Sequence, residues 1–480
     1  MLIARLELPP VVNQSIIHTP LTIISAAAFV VIAAVALVVV RWRPAWALGL
    51  LAFWTPFAFY RDIGPTTITV EKALLAGVVV GLLTLRVPWL PRSQPSRVFL
   101  LAGLAVLATT LLSVGHAAFL GPAVRETLKI AEYLVLAWCA VVIVERQPQS
   151  AATAFSLGTV AALLVVALYS AEQAAFGGSP SGIFIRNQIV PRVSGPLEGP
   201  NQLGGYLEAA LPIAWLAPFL DQRLNAVRWI AVFAGTMALV MSESRAGLVM
   251  VIVGFVALWF VRRPAARVSL APVCVGLAAG LGVVILWYAF ATHDAFAAMS
   301  RFGLFASGNA APSYSGGVGN RRELWSAAIH LFERDAIIGV GAGNFERMLP
   351  SVGVYGVQTH ANSLWLQTLA EQGLLGLFAI FTLAIMALRE TYVGIERSWL
   401  AAAAFIAGGC LVVHQFVDDL FFFPKVAMLW WLLMGAATAA VGVSTGSSAD
   451  AQASLSDKTG GPSSGQATPT NGSFHLSSRS

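Results

Sequence analysis

Apolar runs long enough to cross a hydrocarbon layer follow one another along most of this chain, and that succession limits the fold more than any motif. A spanning helix needs about 20 consecutive apolar residues, and within lipid every backbone N–H and C=O must find its partner inside the structure. The runs are continuous and lack the period-two alternation of a spanning barrel strand, so they read as helices. Runs at 21–40, 45–60, 66–85, 98–114, 128–144, 151–170, 201–220, 229–242, 246–261, 268–291, 362–388, 399–415 and 425–442 predict an all-α, polytopic transmembrane bundle of about 12 to 13 spans. Pro56 predicts a broken or tilted second segment, which is the reason for the range.

With 57% hydrophobic and 11% charged residues, the 480-residue chain is excluded from the soluble globular class, where charge nears a quarter of residues. The formal net charge of +6 comes from arginines scattered singly between runs, which signals orientation in a bilayer rather than a nucleic-acid surface. Cys139, Cys274 and Cys410 lie inside apolar runs without metal-ligand spacing and read as small core residues. The first run reads as a full span rather than a cleaved leader.

Arg41 and Arg43, Arg86, Arg92 and Arg97, Arg146, Arg223 and Arg228, Arg262, Arg263 and Arg267, and Arg389 and Arg397 fall in every second connection. The positive-inside rule makes those connections cytoplasmic and turns 171–200, 243–245 and 292–360 outward. The expected organisation is an N-terminal segment 1–20, an N-terminal bundle 21–291, a large extracytoplasmic catalytic loop 292–361, C-terminal spans 362–443 and a disordered tail 444–480 rich in Ser, Gly, Thr, Ala and Pro.

The polar residues that carry chemistry gather on the outward side. Arg245, in Ser242-Glu243-Ser244-Arg245-Ala246-Gly247, sits between two runs with almost no loop around it. An arginine there is costly unless paired or solvated, so it is either a functional residue or a partner of Glu243. Arg321 and Arg322 open an amphipathic segment with Leu324, Trp325, Ala328 and Phe332 at helical spacing, and Asn320 with Glu323 forms a capping-box pattern. A guanidinium in a first helical turn joins free N–H groups and the helix dipole in favouring a phosphate.

Gly339-Val340-Gly341-Ala342-Gly343 lacks the spacing of a dinucleotide fingerprint and reads as a tight turn closing the loop, or else as backbone contact with a phosphate. His360 stands at the mouth of the run from 362, where an imidazole can take a proton from a hydroxyl near neutral pH. Glu371, inside that run, needs a partner, with an arginine of the active face one option. Arg186 and Arg192 belong to a Pro- and Gly-rich outer loop that leads to Gly199-Pro200-Asn201, and Arg192 is a further candidate for phosphate contact. His414, Asp418 and Asp419 lie at a short outer turn, too sparse a set to predict a metal.

Taken in order, Ser244-Arg245-Ala246-Gly247, Arg321 four residues before Trp325, Gly339-Val340-Gly341 with Asn344-Phe345, and His360-Ala361-Asn362 leading to Glu371-Gln372-Gly373-Leu374-Leu375-Gly376 resemble the O-antigen ligase and O-antigen polymerase family. The resemblance covers roughly residues 190–440. It implies a polytopic glycosyltransferase with a GT-C-like fold in the inner (cytoplasmic) membrane, without metal or cofactor. Such an enzyme takes a glycan from undecaprenyl diphosphate on the outer face and passes it to a lipid or glycan acceptor. Carried over by position, Arg245 and Arg321 would hold the diphosphate, with Arg322 as the alternative to Arg321, and His360 would orient or deprotonate the acceptor hydroxyl. An inverting displacement follows, since no paired carboxylates point to a covalent intermediate. The rival reading is a polytopic transporter of an anion such as bicarbonate, which also uses intramembrane arginines and broken helices.

Overall fold

In the computed structural model, the structure describes residues 22–57, 59–63, 66–176, 181–185, 188–262, 270–292, 321–355 and 359–459. Each expected apolar run coincides with a helix: α1 (Ile23–Trp42), α2 (Pro44–Trp54), α3 (Val70–Thr84), α4 (Gln94–Val114), α5 (Leu120–Arg146), α6 (Pro148–Phe176), α7 (Pro200–Leu216), α8 (Gln222–Ser242), α9 (Arg245–Arg262) and α10 (Ala271–Thr292). Past the 292–360 segment come α13 (Leu364–Val393), α14 (Trp399–His414) and α15 (Pro424–Thr459). Among the described residues, eight of these helices are long and apolar enough to cross a membrane, and Pro44–Trp54, Arg245–Phe260 and Trp399–His414 are shorter apolar helices. The chain is an all-α, multi-pass membrane protein.

Local chemistry sets the helix ends. The Asp221 carboxylate accepts from the N–H groups of Arg223 and Leu224 to start α8, and the Ser363 hydroxyl accepts from Leu366 N–H to start α13. Pro56 has no N–H with which to extend a helix, and α2 stops at Trp54. The second expected run is therefore shortened. The chain instead turns through an antiparallel hairpin, Tyr60–Ile63 with Thr66–Thr69, before α3. A second hairpin, Ser181–Ile185 with Gln188–Arg192, occupies part of the 171–200 connection. Close backbone approach holds the helices together where side chains are smallest: a Cβ added at Gly158 of α6 would meet the Gly49 carbonyl oxygen of α2 at 2.0 Å.

One sequence expectation changes. The segment read as a disordered tail from 444 is helical as far as Thr459 in α15, and 460–480 lie outside the described residues. The 292–360 segment is structured in its second half: α11 (Arg321–Arg334), a short helix α12 (Phe345–Met348) and a 3-10 turn (Leu349–Val352) have their own core of Leu324, Ala328, Leu331, Phe345 and Leu349. Residues 1–21, 186 and 293–320, including Arg186, Asn320 and the cap expected of it, lie outside the described residues.

This small core is joined to the membrane bundle by a break in α13. Gly373 adopts φ 62°, ψ −160° within that helix, so the backbone groups on either side lose their helical partners. The incoming loop replaces them. Val340 N–H donates to Ala370 O at 3.0 Å and Gly341 N–H to Glu371 O at 2.9 Å, while Leu374 N–H donates to Ala336 O at 2.9 Å and Leu375 N–H to Ile337 O at 3.2 Å. Backbone lies against backbone here. A Cβ at Gly339 would meet the Glu371 carbonyl carbon at 2.3 Å, and one at Gly373 would meet the Ile337 carbonyl carbon at 2.4 Å.

Candidate functional site

The break in α13, the start of α7 and the turn between α14 and α15 bring polar residues together at one end of the bundle. Asp418, in that turn and almost wholly buried, is the hub. Its Oδ2 accepts a 2.6 Å hydrogen bond from Asn201 Nδ2 and lies 3.9 Å from Arg321 Nη2. Asn201 Oδ1 accepts in turn from Arg192 Nη2 at 3.4 Å, and Arg192 Nε donates to Ser242 O at 3.0 Å. A continuous polar chain thus runs from α11 through the turn to α7 and to the end of α8.

His360 belongs to the same cluster. It is buried, its ring 4.9 Å from that of Phe422 and 6.4 Å from that of Phe423. Burial lowers its pKa below the usual histidine value; the Asp418 carboxylate opposes that effect and the Arg321 guanidinium reinforces it. The imidazole is therefore neutral at pH 7. Its Nδ1 accepts from Asn362 N–H at 3.1 Å, which places the ring proton of the neutral form on Nε2. Asn362 holds a left-handed φ of 51°, a conformation asparagine tolerates better than most side chains.

The Gly339–Gly343 run is the closing turn, and phosphate contact through its amides is ruled out by their bonding. Gly339 N–H donates to Asp335 O, Ala342 N–H to Ser113 Oγ at 3.1 Å and Gly343 N–H to Glu371 Oε2 at 2.8 Å, in addition to the two bonds into α13. Glu371 finds its partners here too, rather than in an arginine: Gly343 N–H, Phe345 N–H at 3.0 Å and Gln367 Nε2 at 3.1 Å. Gln367 Oε1 accepts from Ala361 N–H at 2.8 Å, so the Glu371 carboxylate supports the backbone next to His360 through one intervening amide.

The remaining candidates are Arg245 and Arg322. Arg245 opens α9 with an exposed side chain, directly after Glu243, whose left-handed φ of 54° ends α8. Glu243 accepts from Tyr288 Oη at 2.9 Å. Arg322 is exposed and joins none of the described hydrogen bonds or ion pairs. Arg192, Arg321 and His360 are the three brought together.

Sequence reasoning missed two elements. It treated Asp418 only as a poor metal ligand, whereas it ties Arg321 to Asn201. It passed over Glu208, a lone carboxylate in the apolar run 201–220, although an ionisable residue within a span is itself a signal. Glu208 Oε1 lies 2.5 Å from His414 Nδ1, both residues almost fully buried, and the His414 carbonyl accepts from Asp418 N–H at 3.1 Å. A Cβ at Gly247, two residues past Arg245, would lie 3.4 Å from the same Glu208 oxygen, so the Ser244–Gly247 turn packs on this buried pair.

The fold and this cluster define a class: a polytopic helical membrane protein with a basic and polar site at one end of its spans. Residues 230–381, the stretch that carries Arg245, Arg321, Arg322, His360 and the break at Gly373, match the family model described as O-Antigen ligase. A comparison with curated proteins finds no match to the chain.

Proposed function

We propose that this protein is a membrane glycosyltransferase that moves a glycan from undecaprenyl diphosphate to an acceptor hydroxyl on the outer face of the cytoplasmic membrane. The family match supports glycan transfer and gives the transporter reading no support. The observation that carries the finer reading is the grouping of Arg321 and neutral His360 around buried Asp418, with Arg192 joined to it through Asn201.

In the reaction the bond between the sugar anomeric carbon and the diphosphate oxygen breaks while the acceptor oxygen bonds to that carbon from the opposite side. The acceptor proton leaves with the released diphosphate. Negative charge grows on the leaving group, and a guanidinium fixed in a partly dehydrated site favours that charge more in the transition state than in the ground state. Arg321 fits this role: at 3.9 Å from Asp418 it is held near the site without being consumed by a short ion pair, and its side chain is 43% exposed to an incoming ligand. Arg192 anchors Asn201 and the far side of the hub. With Nδ1 engaged by Asn362, His360 presents an Nε2–H donor, which orients the acceptor hydroxyl in this arrangement.

The test is a mass-spectrometric profile of undecaprenyl-linked glycans in cells carrying wild type or His360→Ala. Accumulation of lipid-linked glycan in the variant is expected, long chains naming a ligase and single repeats a polymerase. An unchanged profile would overturn the reading.

A further inference from the structure

A cavity of about 960 Å³, open solvent at its mouth included, lies between α4, α5, α13, α15 and the 415–422 turn. One part of its wall is aromatic, with Trp365, Phe421, Phe422, Trp430 and Trp431. Another part is polar, contributed by Glu126, Lys129, Gln367, Glu371, Gln415 and Asp419. Residues of this wall also carry buried polar atoms without a protein partner: Tyr133 Oη, Trp365 Nε1, Gln415 Nε2, Asp419 Oδ1 and Trp430 Nε1. Buried donors and acceptors are nearly always paired, so these residues leave hydrogen-bonding capacity unmet next to the cavity.

The chemistry of the wall selects that occupant. A diphosphate is disfavoured, because Glu126, Glu371 and Asp419 face it with carboxylates and the one cation, Lys129, lies 2.7 Å from Glu126. A plain hydrocarbon chain would leave the polar part of the wall without a hydrogen-bonding partner. A neutral pyranose satisfies both halves: its C–H faces lie on indole and phenyl rings, and its hydroxyls donate to a carboxylate while accepting from N–H groups. The burial that pushes the Asp419 carboxyl up to about 7 accords with a site that favours an uncharged partner.

The position of the cavity connects it to the site. Phe422 lines the cavity and stacks beside His360. Adjacent aspartates face two ways: Asp418 bonds Asn201 beside Arg321, and Asp419 lines the cavity. We infer that this cavity seats a neutral sugar ring of the acceptor, hydrogen-bonded by Tyr133, Gln415 and Asp419 and stacked on the tryptophans, on the side of His360 away from the arginines. The word acceptor rests on the glycan-transfer reading above; the sugar site does not.

Saturation-transfer NMR on the full chain in nanodiscs, prepared without glycoside detergents, tests the inference. The probes are the methyl β-glycosides of glucose, galactose and N-acetylglucosamine, with octanol as the sugar-free control. At least one glycoside should receive saturation from the wild type, with an affinity lowered about threefold to tenfold in Tyr133→Phe, the loss expected for one hydrogen bond. The Tyr133 hydroxyl has no protein partner, so this variant keeps its fold. Arg321→Ala should bind the glycoside as the wild type does. No glycoside binding to the wild type, or binding unchanged in both Tyr133→Phe and Asp419→Asn, would overturn the sugar site. Glycoside binding that meets these expectations, in a protein whose His360→Ala cells accumulate no lipid-linked glycan, would keep the sugar site and discard the transfer reading.

Discussion

Arg321 Nη2 lies 3.9 Å from Asp418 Oδ2, a half-exposed guanidinium facing a carboxylate almost wholly withdrawn from solvent. The separation is too long for a hydrogen bond, so the aspartate keeps the arginine in place electrostatically while its N–H fork stays open to a ligand. Asn201 holds the carboxylate from the other side at 2.6 Å, so the hub does not depend on Arg321 for its own placement.

That independence makes Arg321 separable from the fold. Arg321→Ala should lower glycan transfer in proteoliposomes by about a hundredfold or more, the loss typical of removing one fixed donor to developing negative charge. Its thermal midpoint should stay that of the wild type. Arg321→Lys should recover only part of the rate, because a point charge lacks the bidentate fork. Full activity in either variant would remove Arg321 from the diphosphate site.

The two facing glycines make the opposite case, in which the fold itself is at stake. Gly373→Ala puts a side chain on a residue with φ 62°, with its Cβ 2.4 Å from the Ile337 backbone. The strain alone is of order 1–3 kcal/mol, and relieving the clash means withdrawing the 336–343 loop from α13. Limited proteolysis should cut the variant between α11 and α13 faster than it cuts the wild type. A variant as protease-resistant as the wild type would show that the loop is not pinned at this break.

The sequence revealed the helices, because spans of lipid-facing length need no tertiary information. It also placed Arg192, Arg321 and His360 on one side of the bilayer through the alternation of arginine-rich connections. It could not show that Asp418 joins two of them, since residues 201, 321 and 418 meet only after α7, α11 and the last turn are packed. Nor could it show that the glycine run and Gly373 serve one purpose, because each looks like an ordinary turn signal until the carbonyls of Ala370 and Glu371 are seen to accept from Val340 and Gly341. The hairpin after α2 was hidden by the continuous hydrophobicity of its flanks, where only Pro56 hinted at an interruption.

Asp419 gives a signature in stability. Its pKa of about 7 lies above its ordinary 3.8, so between these values the folded state binds the proton more tightly than the unfolded state does. Stability from this group is therefore full at low pH, falls as pH rises through that window and levels off above about pH 7. Asp418, Glu126 and Lys129 are the charged neighbours acting on it, and Asp419→Asn leaves them in place. The thermal midpoint of the wild type minus that of Asp419→Asn should decline from pH 5 to pH 8. A difference constant with pH would show that Asp419 does not titrate in this range.

The His360 imidazole titrates in the other sense. Its pKa lies below 6.5, so the neutral form that accepts from Asn362 N–H and is held in place by it persists on mild acidification. The acid limb of the pH–rate profile should lie below the ordinary histidine range. Asp418→Asn removes the group that raises this pKa, and the limb should move to still lower pH. A limb at or above pH 6.5 in the wild type would exclude His360 as its source.

Glu208 and His414 form the most secluded polar contact near the site, 2.5 Å apart with side chains at most 1% exposed. Glu208 Oε2 has no other partner, so His414 is the group that compensates this carboxylate. Removing one member leaves the other stranded in an apolar surround, whereas replacing both removes the polar demand altogether. Glu208→Leu and His414→Leu should each destabilise by about 3–5 kcal/mol, and the double variant should be closer to the wild type than either single one. Because the Ser244–Gly247 turn rests on Glu208, the single variants should also disturb Arg245 and slow transfer, with the double variant recovering stability but not the full rate. Thermal midpoints and transfer rates measured on all four proteins decide this. Additive stability losses would show that the two residues act separately, and a double variant with wild-type transfer would free Arg245 from any dependence on the pair.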